Sequence, residues 1–229
     1  MNNMNVQGDA VLVACHAVKS FHLGGREIPV LRDVSLSIGY GQSVCVRGAS
    51  GAGKSTLLHI LGGLERPTSG KILCVGEDVY RMREPQRAVM RSRTVGFVFQ
   101  SYHLLQELTV RENILLPTRR MGSRDAELRV QNLLERVGLS HRAEHRPSEC
   151  SGGELQRAVL ARALVHDPPI VLADEPTGNL DVHTGDQVLD LLFSLVEEKS
   201  RTLVLVTHDD KVAERCGRQL NLVDGCLDN

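Results

Sequence analysis

Tryptophan is absent, and Phe, Tyr and Trp together make up only 3% of the 229 residues. That leaves little aromatic surface for stacking on nucleic-acid bases. A basic excess is missing too. The chain has 27 Lys and Arg against 28 Asp and Glu, a net charge of −1, so no field advertises a polyanion or an anionic membrane surface, and no nucleic-acid partner is expected. There is no C-x-x-C pair and no Cys/His spacing of the metal-binding kind. The six cysteines (15, 45, 74, 150, 216 and 226) fall partly inside apolar, strand-like runs and are expected to be reduced, buried thiols of a cytosolic protein. The histidines, including His141 and His145, show no carboxylate or thiol constellation. No apolar run approaches the length of a membrane span, and no basic region followed by an apolar stretch opens the chain. Work at a membrane is expected to go through a partner. Internal repeats and low-complexity tracts are also lacking.

What remains is an ordinary folded composition, 41% hydrophobic and 24% charged, at a length that suits one α/β domain with a smaller lobe. Residues 10–40 alternate apolar and polar and predict strands joined by a turn at Leu23-Gly24-Gly25. Short strands are expected at 43–46, 72–75 and 94–99, and a helix over 56–64 ended by Arg66-Pro67. From about 101 to 164 the texture becomes charge-rich and helical, as in 125–137, and predicts an inserted helical lobe. Ile170-Val171-Leu172-Ala173 and residues 202–206 are continuous apolar runs, typical of a parallel sheet covered on both faces.

Residues 48–56 read Gly-Ala-Ser-Gly-Ala-Gly-Lys-Ser-Thr, a complete phosphate-binding loop of the pattern G-x-x-x-x-G-K-[ST]. Gly48, Gly51 and Gly53 let the backbone, with Ser50 between them, wrap a phosphate chain with its N–H groups. Lys54 can reach the terminal phosphates, and the hydroxyl of Ser55 can ligate Mg²⁺, with Thr56 following in the helix. The dinucleotide fingerprint is excluded, because Gly51-Ala52-Gly53 is followed by Lys-Ser-Thr with no third glycine. No Asn-Lys-x-Asp guanine-reading motif occurs. The expected ligand is a nucleoside triphosphate.

Two further stretches carry chemistry. The apolar run from Ile170 ends in Asp174-Glu175. In a phosphate-loop nucleotidase the first carboxylate completes the Mg²⁺ shell and the second polarises an attacking water. Ser151-Gly152-Gly153-Glu154 precedes a strongly helical segment, 155–165, and predicts a helix N-terminus with exposed N–H groups and a hydroxyl, a second anion site. One γ-phosphate does not need two such sites from one chain, so the second is expected to serve the nucleotide of another copy.

The phosphate loop, Gln100 after a strand, Ser-Gly-Gly-Glu (151–154), Ala-Asp-Glu-Pro-Thr-Gly-Asn-Leu-Asp (173–181) and Thr-His-Asp (207–209) follow in that order. Together they resemble the nucleotide-binding subunit of an ABC transporter over about residues 10–227. Leu-His-Ile-Leu-Gly-Gly-Leu (58–64) and Gly-Phe-Val-Phe-Gln (96–100) narrow the resemblance to the lipoprotein-releasing and macrolide-export subfamily. The resemblance implies ATP and Mg²⁺ as ligands. It implies that Phe21 stacks on adenine, Gln100 senses Mg²⁺ and the attacking water, His208 contacts the γ-phosphate and Asp181 lies at a dimer interface. It implies a fold of α/β class: a phosphate-loop NTPase core with an N-terminal antiparallel β region (1–100 and 165–229) and an inserted helical subdomain (about 101–164), all one nucleotide-binding domain.

The implied activity is ATP hydrolysis by a head-to-tail homodimer of two copies. It would drive a separate integral membrane permease subunit with an extracytoplasmic domain, at the cytoplasmic face of the inner membrane, in export or extraction of a lipophilic or peptide-like substrate. A soluble ABC ATPase acting on nucleic acid or ribosomes, and a nucleotide-gated signalling module, are the alternatives. Residues 100–116 are the expected docking segment for the membrane partner. Four positions depart from the pattern: Cys150 where Leu is usual, Glu154 for Gln, Leu155 for a polar residue and Gln106 for Pro. Cys150 is expected to weaken packing modestly and to leave the ATP contact intact.

Overall fold

A computed structural model describes residues 10–120 and 122–228. The chain clusters into two compact units, one made of residues 10–91 with 200–228 and one of 92–199. The second unit is wider than the helical lobe expected over 101–164, because two strands and a long helix cluster with it.

The first unit opens with two long strands, β1 (Ala10–Leu23) and β2 (Arg26–Gly39), joined through Gly24 and Gly25, both at positive φ. With β4 (Ser69–Cys74) and β5 (Glu77–Asp78), they form an antiparallel sheet ordered β2-β1-β4-β5. The 72–75 run is therefore an antiparallel strand. Between β2 and β4 lie β3 (Ser43–Arg47) and α1 (Lys54–Leu61). The helix stops three residues earlier than the sequence suggests, at Gly62 and the left-handed Gly63, since glycine ends a helix more cheaply than the following Arg-Pro. The unit closes with β8 (Thr202–Thr207), α7 (Asp210–Glu214), β9 (Arg218–Val223) and β10 (Cys226–Asp228). Strand β3 runs parallel to both β8 and β9. All six residues of β8 are buried, as its unbroken apolar pattern requires.

In the second unit β6 (Val95–Val98) pairs in parallel with β7 (Ile170–Asp174). Its helices are α3 (Val110–Leu115), α4 (Ser123–Arg136), α5 (Gly152–Leu164) and α6 (Val182–Glu197). A fully buried Asn113 on α3 pins the preceding loop. Its amide nitrogen donates to the carbonyls of Leu105, Leu108 and Thr109, and its oxygen accepts from the Leu105 N–H at 2.8 Å. One helix has no counterpart in the sequence reading, α2 (Glu84–Thr94). None of its residues is fully buried, and Glu84 pairs with Arg87 and Arg91 along one face, so no apolar periodicity marks it. Thr94 thus ends a helix and does not open β6.

Among the described residues no helix is long and apolar enough to cross a membrane. None of the six cysteines is in a disulfide. Cys45, Cys74 and Cys216 are buried, whereas Cys15 and Cys150 are half-buried and Cys226 is exposed. Uniform burial, expected from the sequence, does not hold.

Candidate functional site

In the first unit β3 delivers the chain into the phosphate loop. A Cβ on Gly48 would overlap the carbonyl oxygen of Leu222, so the loop's first position admits glycine alone. Gly53 sits at φ 102°, in left-handed backbone, and serves as N-cap of α1 without a side-chain cap. No acidic residue lies in the helix's first turn, so its amide donors and positive dipole end carry no internal counter-charge. The Lys54 side chain is buried and donates to the carbonyls of Gly48 at 2.9 Å and Ala49 at 3.0 Å. Its ammonium is held across the mouth of the loop. Ser50, Gly51 and Ser55 are exposed and Thr56 is half-buried.

Phe21 is 39% exposed near the end of β1, opposite Ile28. The Lys19 ammonium lies 4.5 Å from its ring centroid, covering one face, while Lys19 itself pairs with Glu65. His208 follows β8 and is exposed. The turn around it is closed locally: the Asp209 N–H donates to the Thr207 hydroxyl at 3.0 Å, and the Asp209 carboxylate accepts from the Lys211 N–H at 2.9 Å.

The second unit assembles the other residues. Strand β7 ends at the buried Asp174, and Glu175 takes φ 43°. A non-glycine residue there is uncommon, and such strain collects at functional positions. Gly178 follows in the same turn, its N–H donating to the Glu175 carbonyl at 3.0 Å. A Cβ on Gly178 would lie 2.9 Å from the Gln100 side-chain nitrogen and 3.5 Å from the Glu175 Cβ. Asn179 donates to the Gln100 carbonyl at 2.9 Å. Gln100 and Glu175 are thus brought to the same glycine.

Helix α5 begins with a reciprocal capping box. The Ser151 hydroxyl accepts from the Glu154 N–H, and the Glu154 carboxylate accepts from the Ser151 N–H. Arg142 adds a bond to Glu154 at 2.9 Å, and His141 lies 3.8 Å away, a carboxylate neighbour that the sequence reading did not foresee. The Ser151 N–H above all, and then Arg142, draw the Glu154 pKa down to about 2. A Cβ on Gly152 would touch the Tyr102 hydroxyl and Leu180, and one on Gly153 would overlap Thr184. Thr184 also donates to Asp181, the N-cap of α6, at 3.0 Å. The Thr184 hydroxyl and N–H hold the Asp181 pKa below its ordinary value.

Cys150, directly before this cap, directs its thiol to the Arg146 carbonyl at 3.5 Å. Tyr102, Arg142, Asn179 and Thr184 are participants that sequence reasoning passed over. No local pattern distinguishes Tyr102 or Arg142, whereas Asn179 lies inside the 173–181 motif and Thr184 meets Asp181 within one turn.

Among the described residues no group of three or more His, Cys, Asp or Glu side chains is gathered to hold a metal. Mg²⁺ keeps few protein ligands and takes oxygens, and the Ser55 hydroxyl in the first unit and the Asp174 carboxylate in the second are each donors of that kind.

A family model described as ABC transporter matches residues 31–178. The lipoprotein-releasing system ATP-binding protein LolD of Legionella pneumophila (strain Lens) is 47% identical over 221 residues, covering 96% of this chain and 97% of that protein. The protein of the same name from Shewanella oneidensis is 47% identical over 224 residues, covering 95% and 96%. Among solved structures, the ATP-binding cassette MJ0796, in a dimeric post-hydrolysis state bound to ADP and Pi, matches with a TM-score of 0.89 at 36% identity. That match covers 95% of this chain and 97% of the other. With a family model over most of its length and near-full-length relatives, the chain belongs to the ABC transporter family, as an ATP-binding and ATP-hydrolysing cassette.

Proposed function

We propose that this cassette hydrolyses ATP as a head-to-tail homodimer and drives a separate membrane permease subunit in extraction or export of lipophilic cargo. Lipoprotein is the cargo class most in keeping with its relatives. The observation that carries this reading is the near-full-length match to lipoprotein-releasing ATP-binding proteins. The chain is read as one nucleotide-binding domain, working at the cytoplasmic face of the membrane through its partner.

The roles follow from the residues. Phe21 offers the exposed face of its ring to the base, a contact every base can make. Lys54 is already directed at the loop mouth and meets the γ-phosphate there. Ser55 and Asp174 are the residues that would hold Mg²⁺, which when bound would supply positive charge against the phosphates. Glu175 orients and deprotonates the attacking water, with Gln100 beside it and His208 on the γ-phosphate. Ser151, Gly152 and Gly153 of one copy present a hydroxyl and helix N-terminal amides to the nucleotide of the other. Glu154 serves the cap of that helix, and Asp181 lies at the dimer interface. Closure on ATP and opening after hydrolysis then move the permease.

The test is a pull-down of tagged Glu175→Gln protein from detergent-solubilised membranes with MgATP, read by mass spectrometry. Recovery of an integral membrane protein with a large extracytoplasmic domain is expected. Recovery of ribosomal or nucleic-acid proteins instead would overturn the transporter reading.

A further inference from the structure

Arg47 is the last residue of β3 and the residue immediately before Gly48. Its backbone stands in parallel register with Thr207, the last residue of β8 and the residue immediately before His208. Its guanidinium forms an ion pair with Asp210, the first residue of α7, and donates to the Gln219 side-chain oxygen at 3.0 Å. A single residue therefore grips the chain on both sides of His208, through the sheet at 207 and through charge at 210. The same residue leads directly into the phosphate loop.

The partners are not interchangeable with solvent. Two residues, His208 and Asp209, lie between β8 and α7, whose buried Val212 and Ala213 hold its body, and the Arg47–Asp210 pair ties its first residue back to β3. The Asp209 bonds to Thr207 and Lys211 shape the turn and do not reach β3. Asp210 is 71% exposed and Arg47 32% exposed. Such a pair contributes little to global stability, so its consequence is local geometry.

We infer that Arg47 is a positioning residue for hydrolysis, holding His208 at a set distance from the phosphate loop through Asp210. The inference rests on the reading that His208 contacts the γ-phosphate. Without the ion pair the first residue of α7 loses its charged tie to β3, and His208 is held less closely. Nucleotide binding by the loop persists, and the γ-phosphate contact is populated only part of the time.

The test uses the full chain in steady-state MgATP turnover, with nucleotide binding measured separately. Arg47→Met and Asp210→Asn are each expected to lower kcat about tenfold, since small misplacements of reacting groups carry such costs, while KM and nucleotide Kd stay within about twofold. The charge-swapped double variant Arg47→Asp/Asp210→Arg is expected to recover most of the loss. Adding Arg47→Met to His208→Ala is expected to cause no further loss, because Arg47 acts through His208. Asp210→Asn lies on an exposed position and folds whatever happens to Arg47→Met. Parental kcat in Asp210→Asn, additive loss with His208→Ala, or a charge swap no better than the single variants overturns the inference. Parental kcat in His208→Ala itself would instead remove the role assigned to His208, and this inference with it.

Discussion

Ser151 and Glu154 cap one another at the start of α5: the Glu154 carboxylate accepts from the Ser151 N–H at 2.7 Å while the Ser151 hydroxyl accepts from the Glu154 N–H at 3.3 Å. The hydroxyl keeps its own proton for an outside acceptor. The helix start proposed to receive a phosphate is thus pre-shaped without exhausting its donors.

That pair titrates. The Glu154 pKa is drawn from 4.5 down to about 2, so the folded state favours the charged form. The stabilisation is complete above the unfolded value and is lost as pH falls from about 4.5 towards 2. Glu154→Ala is expected to remove about 1 kcal/mol of helix capping, a fall in Tm of about 2–4 °C at neutral pH. The gap between parent and variant, followed by calorimetry, should close on acidification through that window. A gap independent of pH would show that the carboxylate's charge is not what holds the cap.

Glu175 stands in left-handed backbone at the end of a fully buried strand. Glu175→Gln keeps the shape and removes the proposed base. Turnover is expected to fall at least about 10²-fold, and MgATP should shift the protein to a dimer in size-exclusion chromatography with light scattering. Parental turnover in this variant contradicts the assigned role.

Gly48→Ala sets a methyl group against the Leu222 carbonyl oxygen, backbone that cannot rotate away. ATP affinity is expected to drop at least about tenfold with the Phe21 platform intact, measured by titration calorimetry. Unchanged affinity would mean that the loop entrance is freer than its packing implies.

Phe21→Ala removes a ring whose open face is free to stack. The expected result is a rise in nucleotide Kd of about tenfold, as stacking contacts contribute about 1–3 kcal/mol, with kcat nearly unchanged at saturating ATP. Phe21→Tyr should bind as the parent does. Equal Kd in all three proteins would assign the base elsewhere.

Burial first, and then the Glu154 carboxylate, raise the Cys150 pKa above the ordinary thiol value. Alkylation of Cys150 by iodoacetamide is expected to be slow at neutral pH and to accelerate only above the ordinary thiol range, since the thiolate is the reactive form. Peptide mapping after timed labelling checks this, and fast labelling near pH 7 would contradict it.

Much of this chemistry was legible before any coordinates. The phosphate loop, the strand before it and the helix after it occupy consecutive residues, and the glycine spacing, the lysine and the hydroxyl act within that one stretch. The end of β7 and the start of α5 were legible for the same reason: an apolar run closed by carboxylates, and Ser-Gly-Gly-Glu before a helical run, are local patterns. Helix α2 was not, since nothing about it is periodic and apolar.

What the sequence by itself determined is therefore the set of candidate reacting groups and the short elements that bear them. The tertiary structure alone decided which residues hold those groups in place. Asn179 reaches the Gln100 carbonyl across 79 residues and Arg47 reaches Asp210 across 163. The close approach of the Leu222 carbonyl that makes Gly48 obligatory is likewise made by a distant strand. The reason is physical. Hydrogen bonds and steric limits within one turn follow from neighbouring residue types, whereas a contact between distant segments exists only once burial of the apolar strands has set their register.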